Sequence, residues 1–271
     1  MSRNSFLFST IRSFNDAVAR SLVSERLSTA PYLLQQFDPR VRLISIFLLI
    51  LATVFCRRLS ILTFVFAFSV LLAIASHVSV WSLVKRVWVI VFVFTGLIAL
   101  PALFTTSGEI LVHFPGSLSI TKQGLRIALM LVLRVETTAT LTTTLVLCTA
   151  WNRLLRGLRS LGIPSELIVI AAMTHRYIFL LIETANQMFE SRISRTVGVL
   201  GRRQERSITT QTAAVLLSKS LDLSHEVYLA MMARGFRGDI RLLGEQRLRI
   251  WDFVGLISIG TLAALMVWVG R

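Results

Sequence analysis

Apolar runs divided by short basic clusters set the pattern of this chain. Leu43 to Phe55 is a 13-residue apolar run. It falls short of the roughly 20 residues that span a bilayer as a helix, unless Val41 and Arg42 join it with the arginine snorkelling to the interface. Leu59 to Ala75 adds 17 residues, separated from the first run only by Cys56, Arg57 and Arg58. The two runs predict a tight hairpin or one interrupted element, and we end the first helix near the arginine pair. Val87 to Phe104 is the third candidate, preceded by Lys85 and Arg86 and carrying Pro101 close to its far end. Residues 105–124 read as a loop with Gly108, Pro115 and Gly116, in which only Glu109 and Lys122 are full charges. Leu125 to Ala150 is the fourth span, and Ile250 to Val269 the last.

The fourth span holds Arg126, Arg134 and Glu136 in its first half, then Thr137, Thr138, Thr140, Thr142, Thr143 and Thr144. A membrane helix carries such threonines because each hydroxyl can bond back to a backbone carbonyl or across to a neighbour. Arg134 and Glu136, two apart, do not share a face, so each must find its partner elsewhere, and buried structural pairing is the expectation. In the last span, Trp251 and Trp268 stand at opposite ends as interface anchors, with Asp252 near the start.

Between these spans the character changes. Residues 151–249 hold 15 Lys and Arg against 8 Asp and Glu. An apolar stretch from 167 to 174, then His175 and Arg176, then Tyr177 to Ile182, reads as a buried or interfacial helix as easily as a span, since Arg176 is costly in hydrocarbon. The expected organisation is therefore an all-α integral membrane protein of about five transmembrane helices. Residues 1–42 form an amino-terminal segment, 43–150 carry helices one to four, 151–249 form a cytoplasmic or interfacial helical domain, and 250–271 hold the last helix.

Composition supports the membrane reading. The chain is 54% hydrophobic and 16% charged with a mean hydropathy of +0.71, which excludes an ordinary water-soluble fold. The net charge of +15 gathers in stretches suited to topology signals or anionic lipid, and nucleic acid is not needed to explain it. Basic clusters in the first 42 residues, at Lys85 and Arg86, and at Arg153, Arg156 and Arg159 fall on one side if four spans precede residue 151. The positive-inside rule then puts the amino terminus and segment 151–249 in the cytoplasm. Arg57 and Arg58 fall outside and disagree with it. The first forty residues show no compact apolar core followed by a cleavage site, so no cleaved signal peptide is expected. Cys56 and Cys148 lack the count and spacing of a metal site or disulfide framework and read as packing residues.

Two arginine-bearing elements stand out in the basic segment: Glu190-Ser191-Arg192-Ile193-Ser194-Arg195, and a second running from Val227 to Gly238. In the second, Leu223, Val227 and Met231 recur every fourth residue, joined by Tyr228 and Met232, giving one apolar helical stripe. Arg234 comes at its end, Gly235 is the natural helix stop, and Gly238 permits a second turn. A cation there is favoured by the helix dipole. Small Ala233 and Gly235 let the helix end approach another protein closely while Arg234 inserts a multidentate cation into an acidic groove. The competing reading is a glycine-stopped helix with a solvated arginine. Glu190 and Arg195 are candidates for local pairing around Arg192.

At these residues the chain resembles the transmembrane, or T, subunit of energy-coupling factor (ECF) transporters, most closely the cobalt and nickel branch represented by CbiQ. The resemblance rests on Asp38-Pro39-Arg40-Val41-Arg42-Leu43, on Leu161-Gly162-Ile163-Pro164, on the element ending in Arg192, and on Ala230-Met231-Met232-Ala233-Arg234-Gly235-Phe236-Arg237-Gly238. It extends from about residue 31 to 269. It implies that Arg192 and Arg234 end coupling helices that dock into two ATP-binding-cassette ATPases, or a homodimer of one, which hold ATP and Mg2+ in their own sites. Ser191, Ala233 and Gly235 would complete the motifs, and Glu190, Arg195, Phe236, Arg237 and Gly238 would support them. The first motif departs from the usual Ala-Arg-Gly or Ala-Arg-Ser form, with Ser191 for the alanine and Ile193 for the glycine or serine. The second matches fully.

The resemblance further implies a separate substrate-binding membrane subunit of the CbiM/NikM type and leaves open a small accessory membrane subunit. It places the chain in a bacterial cytoplasmic membrane, as a multi-pass protein that binds no cofactor or metal and is not an enzyme. His175 lies far in sequence from His77, His113 and His225, so a packed histidine outweighs a metal ligand. No Walker pattern occurs. An autonomous secondary transporter would call for paired broken helices or repeated halves, and a membrane-embedded enzyme for a His, Asp, Glu or Cys cluster. Neither pattern is present. Cobalt is the expected cargo, then nickel, with a vitamin-carrying relative as the alternative.

Overall fold

The computed structural model describes residues 37–78, 80–106, 109–113, 119–195, 201–236 and 250–270. The chain divides into two compact units, which part at residues 157 and 158.

The larger unit is a helical bundle. Its elements are α1 (Pro39–Phe55), α2 (Leu59–Ala75), a continuous helical run made of α3 (Val80–Leu83), a π-helical turn (Val84–Trp88) and α4 (Val89–Thr105), then α5 (Lys122–Cys148), the first turns of α6 (Trp151–Ser160), and α9 (Ile250–Gly270). The arginine pair does divide α1 from α2. The loop expected over 105–124 contains a short antiparallel hairpin, β1 (Ile110–His113) with β2 (Ser119–Thr121), and α5 starts within it at Lys122. By length and composition, Lys122–Cys148 and Ile250–Gly270 suffice to cross a membrane, with Leu59–Ala75 and Val89–Phe104 as shorter apolar helices.

Helix starts follow local chemistry. Asp38 caps α1, its carboxylate accepting from the Arg40 amide at 2.9 Å, and Pro39 supplies a preset φ where no N–H is needed. Thr121 caps α5 by accepting from the Gly124 amide at 3.2 Å, and its hydroxyl donates to the Thr106 carbonyl at 2.8 Å. A Cβ at Gly124 would stand 2.8 Å from the Ala102 carbonyl oxygen, so this glycine lets α5 and α4 approach backbone to backbone, as packed membrane helices do.

The threonine row of α5 behaves as expected. Thr137, Thr140 and Thr144 are buried and donate to the carbonyls of Leu133, Glu136 and Thr140 at 2.6, 2.7 and 2.8 Å. Trp88, ending the π-helical turn, donates from Nε1 to the Thr140 hydroxyl at 3.0 Å. Exposed apolar side chains cover the outer faces, with Phe94 69% and Leu97 66% exposed on α4, as lipid-facing positions require. Trp251 and Trp268 are also exposed. Cys56 and Cys148 are free and buried.

Polar groups tie the ends of the bundle. At one end, the starts of α1 and α9 meet where the Asp38 amide donates to Asp252 Oδ1 at 3.0 Å. At the other, the Arg57 amide donates to the Gly270 carbonyl at 2.9 Å, so α1 and α9 run side by side in the same direction. Arg134 donates to the Cys56 carbonyl at 2.8 Å, which meets the expectation of a partner on another element. Glu136 does not meet it: it is buried, and neither carboxylate oxygen has a hydrogen-bond partner among the described residues. Arg42 does not snorkel. It is 2% exposed, and its two terminal nitrogens donate to oxygen acceptors inside the bundle end, while its Nε has no hydrogen-bond partner among the described residues.

The smaller unit carries the end of α6, α7 (Ser165–Ser194) and α8 (Arg202–Ala233). The apolar stretches on either side of His175 and Arg176 form one unbroken helix, and Ser165–Arg192 is itself long and apolar enough to cross a membrane. Arg176 stands over the Tyr177 ring at 5.9 Å, and His175 meets Phe179 edge to face at 5.1 Å. Both side chains thus find partners one to four residues along the same helix.

Candidate coupling site

Both arginine elements sit at carboxyl-terminal helix ends. Glu190, Ser191 and Arg192 occupy the last turns of α7, and Arg195 follows its end. Ala233 is the final residue of α8 and Arg234 its C-cap. Arg237, Gly238 and the Ile193 side chain lie outside the described residues.

The end of α8 is a Schellman motif. The Phe236 amide donates to the Met231 carbonyl at 3.0 Å and the Gly235 amide to Met232 at 2.9 Å, while Gly235 takes φ +78°. That backbone region costs an L-residue roughly 1–2 kcal/mol, so glycine is the residue that lets the two carbonyls be satisfied. With the chain turned away, Arg234 is left exposed, and no hydrogen bond or ion pair engages its guanidinium among the described residues. The same device ends α6. The Ile163 amide reaches the Leu158 carbonyl at 3.4 Å, the Gly162 amide reaches Arg159 at 3.1 Å, and Gly162 takes φ +94°. The Leu-Gly-Ile-Pro stretch is therefore a helix stop followed by a helix start.

Arg192 is held differently. It is half-buried and donates to Gln211 Oε1 of α8 at 3.0 Å, a contact that sequence reading missed because nothing in the spacing of Gln211 announces it. The Ser191 hydroxyl bonds back to the Met188 carbonyl at 3.0 Å, and Ser194 to Glu190 at 2.6 Å. Glu190 and Arg195 form no ion pair. Five residues apart on a helix, they point to different faces.

The two arginines are not brought together. Arg192 lies level with Gln211, whereas Arg234 is 23 residues further along α8, about 35 Å at 1.5 Å per residue. Between them, α7 and α8 border a mostly apolar groove lined by Met173 and Tyr177 on one side and Leu223, Val227, Tyr228 and Met231 on the other. Four members of the predicted stripe thus line the groove. Met232, expected with them, is 50% exposed. Among the described residues, no group of three or more His, Cys, Asp or Glu is placed to hold a metal ion.

The family described as Cobalt transport protein, CbiQ, matches residues 32–243. The chain belongs to the CbiQ family. It is a multi-pass membrane transport subunit of the CbiQ and EcfT kind. An uncharacterised protein of Methanocaldococcus jannaschii is 29% identical over 252 residues, 91% of this chain and 86% of that protein. The cobalt transport protein CbiQ of Rhodobacter capsulatus is 33% identical over 174 residues, 63% of this chain and 70% of its own. The energy-coupling factor transporter transmembrane protein EcfT of Brevibacillus brevis is 27% identical over 254 residues, 86% of this chain and 92% of that protein.

Proposed function

We propose that this chain is the coupling subunit of an ECF-type importer, in which Arg234 and Arg192 dock into two ATP-binding-cassette ATPase subunits. The observation that carries the reading is the end of α8: a cation presented at a glycine-stopped helix terminus, exposed and unengaged, between the small residues Ala233 and Gly235. Separation of Arg192 from Arg234 by about 35 Å suits two separate grooves better than one. The Gln211 contact pre-orients Arg192, which offsets the loss of a small residue at position 193 of the first motif.

ATP and Mg2+ belong to the partner ATPases, and ATP-driven closure draws the docked helix ends together. Segment 151–249 passes that motion to the bundle and to a separate substrate-binding membrane subunit. The amino terminus and the coupling helices face the cytoplasm. The cargo is a divalent transition metal ion, cobalt first and nickel next. The family description and the Rhodobacter relative support that choice. The EcfT relatives, matched over more of the chain, are named for energy coupling and for no metal, which keeps the same machine with a vitamin cargo as the second reading.

Arg234→Glu tests the docking. In proteoliposomes holding the co-purified complex, ATP-driven uptake of radiolabelled Co2+ should fall at least 20-fold, on the order expected for reversing a charge in a desolvated interface, with insertion of the subunit unchanged. Normal uptake by that variant refutes the assignment. Metal and organic analysis of the purified assembly decides between the two cargoes.

A further inference from the structure

We infer that Arg42 is a positioning residue: its guanidinium locks the corner between α5 and α6, so that motion entering the chain beyond residue 157 is delivered to the helix bundle instead of being lost at that corner. This deepens the proposed function and rests on it. Docking through the two arginine elements leaves the Asp-Pro-Arg-Val-Arg stretch without a role.

Arg42 is 2% exposed. Its Nη1 donates to the Cys148 carbonyl at 2.7 Å and to the Thr149 hydroxyl at 2.9 Å, and its Nη2 donates to the Phe37 carbonyl at 3.0 Å. Cys148 is the last residue of α5, where carbonyls lack intrahelical partners and the dipole favours a cation. One planar group thus joins the approach to α1, the end of α5 and the first residue of the link to α6. A lysine ammonium cannot span all three in a fixed plane.

No carboxylate lies within ion-pair distance of Arg42 among the described residues. A buried cation without a direct ion pair is expensive, so its place inside the bundle end calls for a role. The chain has a cheaper way to stop a helix, the glycine cap used after α6 and α8. At the end of α5 it uses a buried charge that fixes the corner.

The surroundings hold both sides of the clamp. The Asp38 amide is tied to Asp252 at 3.0 Å, and the Asp38 side chain caps α1. Two residues separate Cys148 from α6, and the amides of Arg153 and Leu154 reach back to the Ala150 carbonyl at 2.9 and 3.0 Å. Along α6, Gly157 sits so close to α1 that a Cβ would come 2.6 Å from Leu43 Cδ1 and 3.4 Å from the Pro39 carbonyl oxygen. At Gly157, therefore, α6 touches the first turn of α1, and the chain leaves the bundle from that point.

Two readouts test this. In the isolated subunit, spin labels at Arg40→Cys and Asn152→Cys, both exposed positions while the native cysteines are buried, report the corner by pulsed electron resonance. The wild-type distance distribution should be narrow, at least two-fold broader in Arg42→Met, and intermediate in Arg42→Lys and Thr149→Val. In the assembled complex in proteoliposomes, Arg42→Met should keep ATP hydrolysis within two-fold while importing at least five-fold less Co2+ per ATP, with part of the loss restored in Arg42→Lys.

Unchanged label widths, or import and hydrolysis falling in proportion, overturn the inference. If Arg42→Met does not insert, Arg42→Lys and Thr149→Val carry both readouts. A wild-type assembly that binds no ATPase and imports no Co2+ defeats the proposed function instead, and the label widths still decide the corner.

Discussion

Glu136 and Arg134 stand two residues apart on α5 with opposite accounts, and exchanging each for methionine separates them. Glu136 is 6% exposed with both carboxylate oxygens unpartnered among the described residues. A buried polar group without a partner costs about 1–3 kcal/mol. Methionine has similar length and no polar atom to satisfy. The Thr140 hydroxyl bonds the Glu136 backbone carbonyl, not its side chain, so that contact survives. Glu136→Met should therefore stabilise the subunit by about 1–3 kcal/mol, roughly 5- to 150-fold in the folding equilibrium.

Arg134→Met should do the reverse. It removes a charge-assisted hydrogen bond to the Cys56 carbonyl and leaves that oxygen at the end of α1, a loss of about 1.5–3 kcal/mol that is partly offset because Arg134 Nε is itself buried without a partner among the described residues. Reversible unfolding in mixed micelles, with increasing SDS fraction and tryptophan emission as the signal, measures both against the wild type. If Glu136→Met destabilises as much as Arg134→Met, the carboxylate has a partner inside the subunit and the reasoning fails.

Gly235→Ala should loosen the end of α8 by about 1–2 kcal/mol, because φ +78° is strained for any residue with a Cβ; faster hydrogen exchange at the Gly235 and Phe236 amides checks it. Gly157→Val should overpack the seat of α6 on α1 by about 1–3 kcal/mol, since the added Cβ stands 2.6 Å from Leu43 Cδ1. In the same micelle titration, Leu43→Ala should relieve much of that loss, and full additivity of the two changes would contradict the close approach.

The five apolar runs, the break at Arg57 and Arg58, the threonine back-bonds and the glycine stop at 235 were all legible in the sequence, because each follows from local rules of length, propensity and backbone geometry. What escaped depends on partners far along the chain. Arg42 read as a snorkelling residue because the acceptors that keep it inside lie 106 and 107 residues away. The hairpin at 110–121 was hidden since its register is irregular between Ile110 and Val112 and its strands are three and four residues long, too short for an alternating pattern. In the candidate site, the helix end at Arg234 could be read from Gly235. The hold of Gln211 on Arg192 could not, as a glutamine at mid-helix has no positional signature.

The pairing of α9 with α1 also constrains how the protein is made. Asp38 and Asp252 are 214 residues apart in sequence, so α1 leaves the ribosome long before α9 and waits for it before its flank is covered. Everything between, including both arginine-bearing helices, is synthesised while that side stays open to lipid or to insertion factors. A chain shortened before Ile250 would present α1 with its polar cap uncovered, and quality-control proteases would meet it in that state.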